Sequence, residues 1–465
     1  MNVYFLGIAG AGMSALASIL LSEGHQVCGS DQGVFPPVSD YLDRMGIRWR
    51  DGFDARLVPE SLDLAIIGSS AKLELGSNPE LVELQRRGVP SYSYPEFLGR
   101  HTRDRENLVV AGSFGKSTLS ALIATALREG GRDPGYFIGA APLDLEASGL
   151  WGSDPLFVLE GDEYIIGGGD RRPKFLLYHP QSLLLSSLVH DHVNVFPTLA
   201  SYEAAFAQLV ELLPHKGLLV CAAAFPALCR LTQGREVVWY GRERCGGYFA
   251  DGVEIGEVTR FDLVTPGGSR IALETQLLGL HNIENIVGAA AVLLERGEID
   301  ASAFQSAVAK FRGVERRLDK KTNKSSVPAY EGFGSSYEKA RSAIEAMTLH
   351  FPARRLVVVF EPHTFSWRNA EALAWYDTVF EGADRVLLMP PPDHGAEGHD
   401  QVSQGEILSR VCAAGVPALS VDGAAAALSW LENGLEGTEV LLLLSSGPMG
   451  GLTRSAPAML EARFG

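Results

Sequence analysis

Val109-Val110-Ala111-Gly112-Ser113-Phe114-Gly115-Lys116-Ser117-Thr118 is the stretch on which the reading of this chain turns. A short apolar run enters a glycine turn, and Leu119 to Glu129 continue as a helix closed by Gly130-Gly131. Such a turn aims backbone N–H groups and a helix N-terminus at phosphate. Lys116 adds a cation for the β- and γ-phosphates, and Ser117 adds a hydroxyl for Mg²⁺. Gly112, Ser113, Gly115 and Thr118 complete the cradle. The general phosphate loop has a further glycine where this chain has Val110, so the motif is the shortened Gly-x-x-Gly-Lys-Ser-Thr. ATP with Mg²⁺ is the ligand pair it predicts. Strand, turn and helix in this order predict an α/β protein with parallel sheets.

The same rhythm extends to both sides. Val3 to Leu6 lead into Gly7, Gly10 and Gly12, a helix runs from Met13 to Glu23, and Gln26 to Cys28 and Leu64 to Ile67 are further strands. Beyond the phosphate turn, strands are expected at Leu156 to Leu159, Ser182 to Leu185, Gly217 to Val220 and Val237 to Tyr240, with a β-rich stretch from Gly246 to Leu277. Helices follow at Leu280 to Arg296 and Ala301 to Phe311. Four more strands fall at Leu356 to Phe360, Arg385 to Met389, Ala418 to Val421 and Val440 to Leu444. With 465 residues, about three domains are expected at ~150 residues each. We place them at 1–105, a Rossmann-like unit, 106–312, a central nucleotide unit, and 313–465, a second Rossmann-like unit. The charge-dense run Arg312 to Lys324 reads as an exposed connection.

Composition excludes several classes. A net charge of −16 argues against nucleic acid, which requires a basic footprint. Local nests of N–H groups still bind anions in an acidic protein. Cys28, Cys221, Cys229, Cys245 and Cys412 are scattered, so neither a disulfide framework nor a zinc site is expected. Met1 leads straight into a strand, and no apolar run reaches the ~20 residues that span a bilayer. A soluble cytoplasmic protein without membrane contact, monomeric or weakly dimeric, is the expectation.

Further candidates surround the phosphate turn. Glu160 follows the strand Leu156 to Leu159 at its carboxyl end, where open α/β sheets bind ligands. With Asp162 and Glu163 nearby, a carboxylate there can complete magnesium coordination. His190-Asp191-His192 can bind a metal or form an ordinary exposed loop. Asn282 and Asn285 lie one helical turn apart, fit either to hold a base edge or to cap the helix. Arg316-Arg317 can clamp phosphate or lie solvated in a linker. Gly7-x-x-Gly10-x-Gly12 suggests a diphosphate at a helix N-terminus, but its spacing does not imply a nicotinamide cofactor.

Taken together, the ordered set resembles the Mur ligase family over essentially the whole chain. It comprises Gly7 to Met13, Gly29-Ser30-Asp31, Gly112 to Thr118, Glu160-Gly161-Asp162-Glu163, Asp191-His192, His281-Asn282-x-x-Asn285 and Arg316-Arg317. The resemblance implies an ATP-dependent, ADP-forming amide ligase of peptidoglycan metabolism that joins an amino acid or peptide to UDP-N-acetylmuramate. Lys116, Glu160 and His192 would be catalytic, with Ser117, Glu160 and His192 as metal ligands. Asn282, Asn285 and Arg317 would bind ATP, and Gly10, Gly12, Ser30 and Asp31 would bind the uridine diphosphate.

Two branches of the family share the N-terminal glycine pattern. One adds L-alanine. The other recycles murein peptide by adding L-alanyl-γ-D-glutamyl-meso-diaminopimelate. Gly29 to Pro37, Asp170 to Phe175, Phe360-Glu361-Pro362 and Ser446 to Gly451 look more like the recycling branch, so the tripeptide is the expected donor and L-alanine the alternative. Phe206 stands near the place where other members carry a carbamylated lysine. Two departures are clear: Ser113-Phe114 replaces the family's Thr-His, and Glu331 to Tyr337 lacks the aspartate expected at Gly332 and both histidines of an Asp-Asp-(Tyr/Phe)-x-His-His-Pro segment. These losses motivate a further alternative, a non-catalytic nucleotide-sugar binder.

Overall fold

The computed structural model describes residues 1–34, 36–69, 77–167, 169–192, 194–392 and 401–465, so Phe35 of the run Gly29 to Pro37 lies outside them. Met1–Val253, Phe261–Glu274 and His281–Phe311 form one compact unit; Glu254–Arg260, Thr275–Leu280 and Arg312–Gly465 form another.

The first unit contains a five-stranded parallel sheet in the spatial order Arg48–Asp51, Gln26–Asp31, Asn2–Leu6, Leu64–Ile67, Ser91–Ser93. The chain leaves Asn2–Leu6 toward one edge and later returns to its other side. That makes the carboxyl end of this strand a topological switch point, where a crevice opens. Gly7 turns there at φ +90°, and the helix Ala11–Ser22 starts. Tyr4, Leu6 and Ala65 on its strands pack with Leu81 and Leu84 of the helix Pro79–Arg86 in one apolar cluster.

A ten-stranded sheet follows. At its centre Glu106–Ala111 lies between Ser182–Leu185 and Leu156–Gly161, parallel to both. These strands are buried on both faces and therefore read as continuous apolar runs. The stretch expected to be β-rich supplies Tyr248–Glu254, Thr259–Val264 and Arg270–Thr275 at one edge of the sheet. The expected helices appear as Lys116–Glu129, Leu280–Glu295 and Ala301–Lys310.

In the second unit six strands lie in the order Arg317–Lys320, Ala329–Gly332, Glu439–Leu444, Arg355–Phe360, Arg385–Leu388, Ala418–Ser420, all parallel except the first pair. Apolar clusters cover both faces. One expectation is corrected here. The run Arg312 to Lys324 is not simply an exposed connection: Arg317–Lys320 is a paired strand, and Asp319 is only 2% exposed. The charges are tolerated because they meet one another, Lys321 reaching both Asp319 and Glu331, and Arg316 also lying on Glu331.

The five cysteines are free. Among the described residues, no helix is long and apolar enough to cross a membrane.

Candidate active site

The phosphate turn is built so that only glycine fits at its bends. Gly112 sits at φ +145°, and a Cβ there would lie 2.3 Å from Ser186 Oγ. Gly115 sits at φ +88°, and its Cβ would lie 2.7 Å from Asn285 Oδ1. Ser113 Oγ accepts from Val189 N–H at 2.8 Å and from Tyr202 Oη at 3.0 Å, and donates to Val189 O at 2.7 Å, tying the turn to the loop before His190. Phe114, where the resemblance leads one to expect histidine, packs edge-on against Phe225. Lys116 and Ser117 open the helix, so their side chains share its N-terminal rim, and Thr118 is buried behind them.

Three acids at the end of the strand Leu156–Gly161 then divide the work. Glu160 accepts from Ser117 Oγ at 2.7 Å and from Gly139 N–H at 2.6 Å. Glu163, almost fully buried, meets Lys116 Nζ at 2.8 Å and His192 Nε2 at 3.2 Å. Asp162 takes the ammonium of Lys174 at 2.6 Å. Burial works to raise Asp162, but the charge and hydrogen bond of Lys174 outweigh it and hold the carboxyl below its usual range. The hydrogen bond to Glu163 lifts His192 above the ordinary imidazole value against the pull of burial. His192 stands at φ +53°. Thus Ser117 and Glu160 are brought together, whereas His192 joins Lys116 through Glu163. The bridging role of Glu163 was not read from the sequence, although its place in the acidic run Glu160-Gly161-Asp162-Glu163 was the available signal.

A cavity of about 490 Å³ lies at this strand end and is lined by Gly10, Gly12, Asp31, Lys116, Glu160 and Lys174 among others. It therefore joins the switch point of the first sheet to the phosphate turn of the second. Gly12 forms part of the wall because a Cβ there would meet the Tyr94 ring at 2.9 Å. Asp31 accepts from Ala9 N–H at 3.0 Å and from Gln32 N–H at 2.7 Å, fixing the glycine turn. The Ser30 hydroxyl is turned away into a buried network, donating to Glu80 at 2.5 Å, while its carbonyl accepts from Gly7 and Ile8.

Asn285 donates to Asn282 at 3.0 Å, and both are buried on the helix Leu280–Glu295, where Asn285 also abuts Gly115. Arg317 belongs to the second unit, where it opens the strand Arg317–Lys320 opposite Gly332. Phe206 is fully buried, with Phe175 at 5.2 Å and Tyr202 at 5.1 Å between ring centroids, in an apolar setting that suits no charged side chain.

The residues fit the expected ligands. The two glycine bends leave a cradle that any Cβ would fill. Ser117 and Glu160 offer hard oxygens side by side, which suits an ion that keeps water and phosphate as its other ligands. Among the described residues no group of three or more His, Cys, Asp or Glu side chains is gathered into a dedicated metal cage.

Comparison with known proteins agrees. Residues 2–106 match the Mur ligase family catalytic domain, and residues 110–293 match the Mur ligase middle domain. The chain belongs to the Mur ligase family. As such it is an ATP-dependent ligase. It is 32% identical to a UDP-N-acetylmuramate–L-alanine ligase of Roseiflexus sp. over 83% of this chain and 84% of that one. It is 29% identical to the UDP-N-acetylmuramate–L-alanyl-γ-D-glutamyl-meso-2,6-diaminoheptandioate ligase of Escherichia coli, covering 84% of this chain and 85% of that one. Its fold matches the crystal structure of UDP-N-acetylmuramate-alanine ligase from Thermotoga maritima with a TM-score of 0.81 at 22% identity, over 99% of both chains. Both branches expected from the sequence are thus among its relatives.

Proposed function

We propose that the protein activates the lactyl carboxylate of UDP-N-acetylmuramate with ATP and couples it to an amine, with L-alanine as the donor. The observation that carries this reading is the shared cavity, which has a diphosphate-type glycine turn at one end and a lysine-bearing phosphate turn at the other. A carboxylate oxygen of the acceptor attacks the γ-phosphorus, the bond from that phosphorus to the bridging oxygen breaks, and ADP departs. The amine then attacks the acyl phosphate, losing a proton as phosphate leaves. Lys116 leaves Glu163 and Gly112 O to meet the phosphoryl charge, and the turn's N–H groups hold the phosphates in line. Ser117, Glu160 and His192, the last on leaving Glu163, would hold Mg²⁺, which would supply charge neutralisation at the phosphates.

L-Alanine is favoured over the tripeptide by the names of the relatives that match at 30% identity or more over most of the chain. The tripeptide is the second reading. It is favoured by Asp170 to Phe175 and Ser446 to Gly451, and by the Escherichia coli relative. Both donors present an L-alanyl α-amine, so the chemistry at the cavity is the same. Incubation with ATP, Mg²⁺, UDP-N-acetylmuramate and each donor, with mass detection of the UDP-linked product, is the test. An L-alanyl adduct is expected. A product only with the tripeptide would reverse the donor assignment, and no phosphate release with any donor would overturn the ligase reading in favour of a nucleotide-sugar binder.

A further inference from the structure

Lys174 is a buried cation that the phosphate chemistry leaves without a task. It is 7% exposed and lines the same cavity as Lys116 and Glu160. A hairpin puts it there. Ile165–Gly167 pairs antiparallel with Asp170–Pro173, and the backbone N–H of Lys174 closes onto Tyr164 O at 3.0 Å. The side chain returns to Asp162, while its ammonium lies 5.4 Å from the ring centroid of Tyr94 and 5.5 Å from that of Tyr164. Two aromatic faces and one carboxylate thus hold the ammonium at the cavity wall. An ammonium has three donors, and Asp162 uses one of them. Tyr94 is also the ring against which Gly12 packs, so Lys174 stands on the wall that the glycine turn shares.

The acceptor proposed above carries two negative centres. Its diphosphate suits the glycine turn, and its lactyl carboxylate has to reach the phosphate turn. Lys116 is committed to the triphosphate. Glu160 and Asp162 would repel a carboxylate approaching without a cation between them.

We infer that Lys174 is a positioning and specificity-determining residue whose ammonium, shared with Asp162, receives the lactyl carboxylate of the acceptor and holds it toward the phosphate turn. This rests on the proposed function for the identity of the acceptor. The bond is a charge-assisted hydrogen bond from ammonium to carboxylate, with no proton transferred. It distinguishes the lactyl ether from the same nucleotide sugar without it, so Lys174 sets the choice between UDP-N-acetylmuramate and UDP-N-acetylglucosamine.

The test is calorimetric binding of both nucleotide sugars, and of a non-hydrolysable ATP analogue as a fold control, to the full chain. The proteins compared are the parent, Lys174→Met and Lys174→Arg. Since Lys174→Met leaves Asp162 buried without its cation, the double variant Asp162→Asn/Lys174→Met repeats the measurement with the pair neutralised. The parent should prefer UDP-N-acetylmuramate. Lys174→Met and the double variant should lose roughly tenfold or more of that affinity while UDP-N-acetylglucosamine and the ATP analogue bind as before. Lys174→Arg should keep most of the preference. Equal losses for the two sugars, or no loss for either, would overturn the inference while leaving the ligase reading in place. A parent that binds neither sugar would overturn the acceptor assignment and the inference with it.

Discussion

Two turns in this protein share a plan and differ in content. Gly112 to Gly115 and Phe333 to Ser336 each leave the carboxyl end of a parallel strand and each open a helix, Lys116–Glu129 and Tyr337–His350. The first is hollow: its glycines exclude side chains, and its lysine waits on a carbonyl and a carboxylate. The second is filled. Gly334 O accepts from Trp367 Nε1 at 2.7 Å, Ser335 O accepts from Thr364 Oγ1 at 3.0 Å, and Arg316 lies 4.8 Å over the Phe333 ring. Phosphate presents every nucleotide-dependent ligase with the same shape and charge, so the first turn is held close to its motif. It is in the second turn that the acid and histidines expected from the family are missing.

The largest effect that would sharpen this contrast is at Lys116. Lys116→Ala should cut ATP-dependent phosphate release by about a thousandfold or more, because the cation acts where charge develops. Thermal stability should change little, since Glu163 keeps His192 as a partner. A loss of only a few-fold would break the contrast, since the hollow turn would then be no more functional than the filled one.

Next comes a change meant to restore the family pattern to the second turn. At Gly332 a Cβ would lie 3.1 Å from Leu444 Cδ1 and 3.7 Å from Ala343 Cβ. Gly332→Asp should therefore destabilise by roughly 2–4 kcal/mol in urea unfolding of the chain, combining crowding with a buried carboxylate. It should not raise turnover with either donor. An active and fully stable Gly332→Asp protein would mean that the apolar filling is incidental.

The corresponding change in the first turn is smaller in energy and shows up in activity. Gly115→Ala forces a side chain into the left-handed region and onto Asn285. The KM for ATP should rise by roughly tenfold to a hundredfold, and the left-handed strain should also cost about 1–2 kcal/mol of stability. Similar penalties in stability at Gly115 and Gly332 would remove the distinction between a turn kept open for a ligand and one closed by packing.

These contrasts mark how far the sequence could be read. Parallel strands and the phosphate helix were legible because each obeys a local period and ends at a glycine. Lys116, Ser117 and Glu160 were legible because they stand at fixed distances from a strand end. Lys174 was visible only as a member of a run, since its partner Asp162 is reached through a hairpin whose closure no period records. The bridging of Lys116 to His192 by Glu163 likewise depends on three strands meeting. The run Arg312 to Lys324 was misread for the converse reason: charge density argues for solvent unless the opposite charges lie within reach, and Glu331 arrives on a neighbouring strand.

That last cluster gives the smallest effect and a pH-dependent one. Burial pushes Asp319 up to about 6, with Lys321 only partly opposing it. In the unfolded chain an aspartate titrates near ~3.9. A folded value above the unfolded one means that the folded state holds the proton more tightly, so the stability this group contributes is fully present below about pH 4 and is lost as pH rises through about 6. Asp319→Asn carries no charge at any of these pH values and still offers an acceptor to Arg316 N–H, which Asp319 now receives at 2.9 Å. Lys321 keeps Glu331 at 2.8 Å. The variant should therefore remove this group's falling contribution to the unfolding free energy between pH 4 and 7, at most about 3 kcal/mol, the equivalent of ~2 pKa units. An unchanged slope would mean that Asp319 is ionised throughout and that the charges beside the second turn cost the fold nothing, in which case the contrast with the open phosphate turn would rest on packing alone.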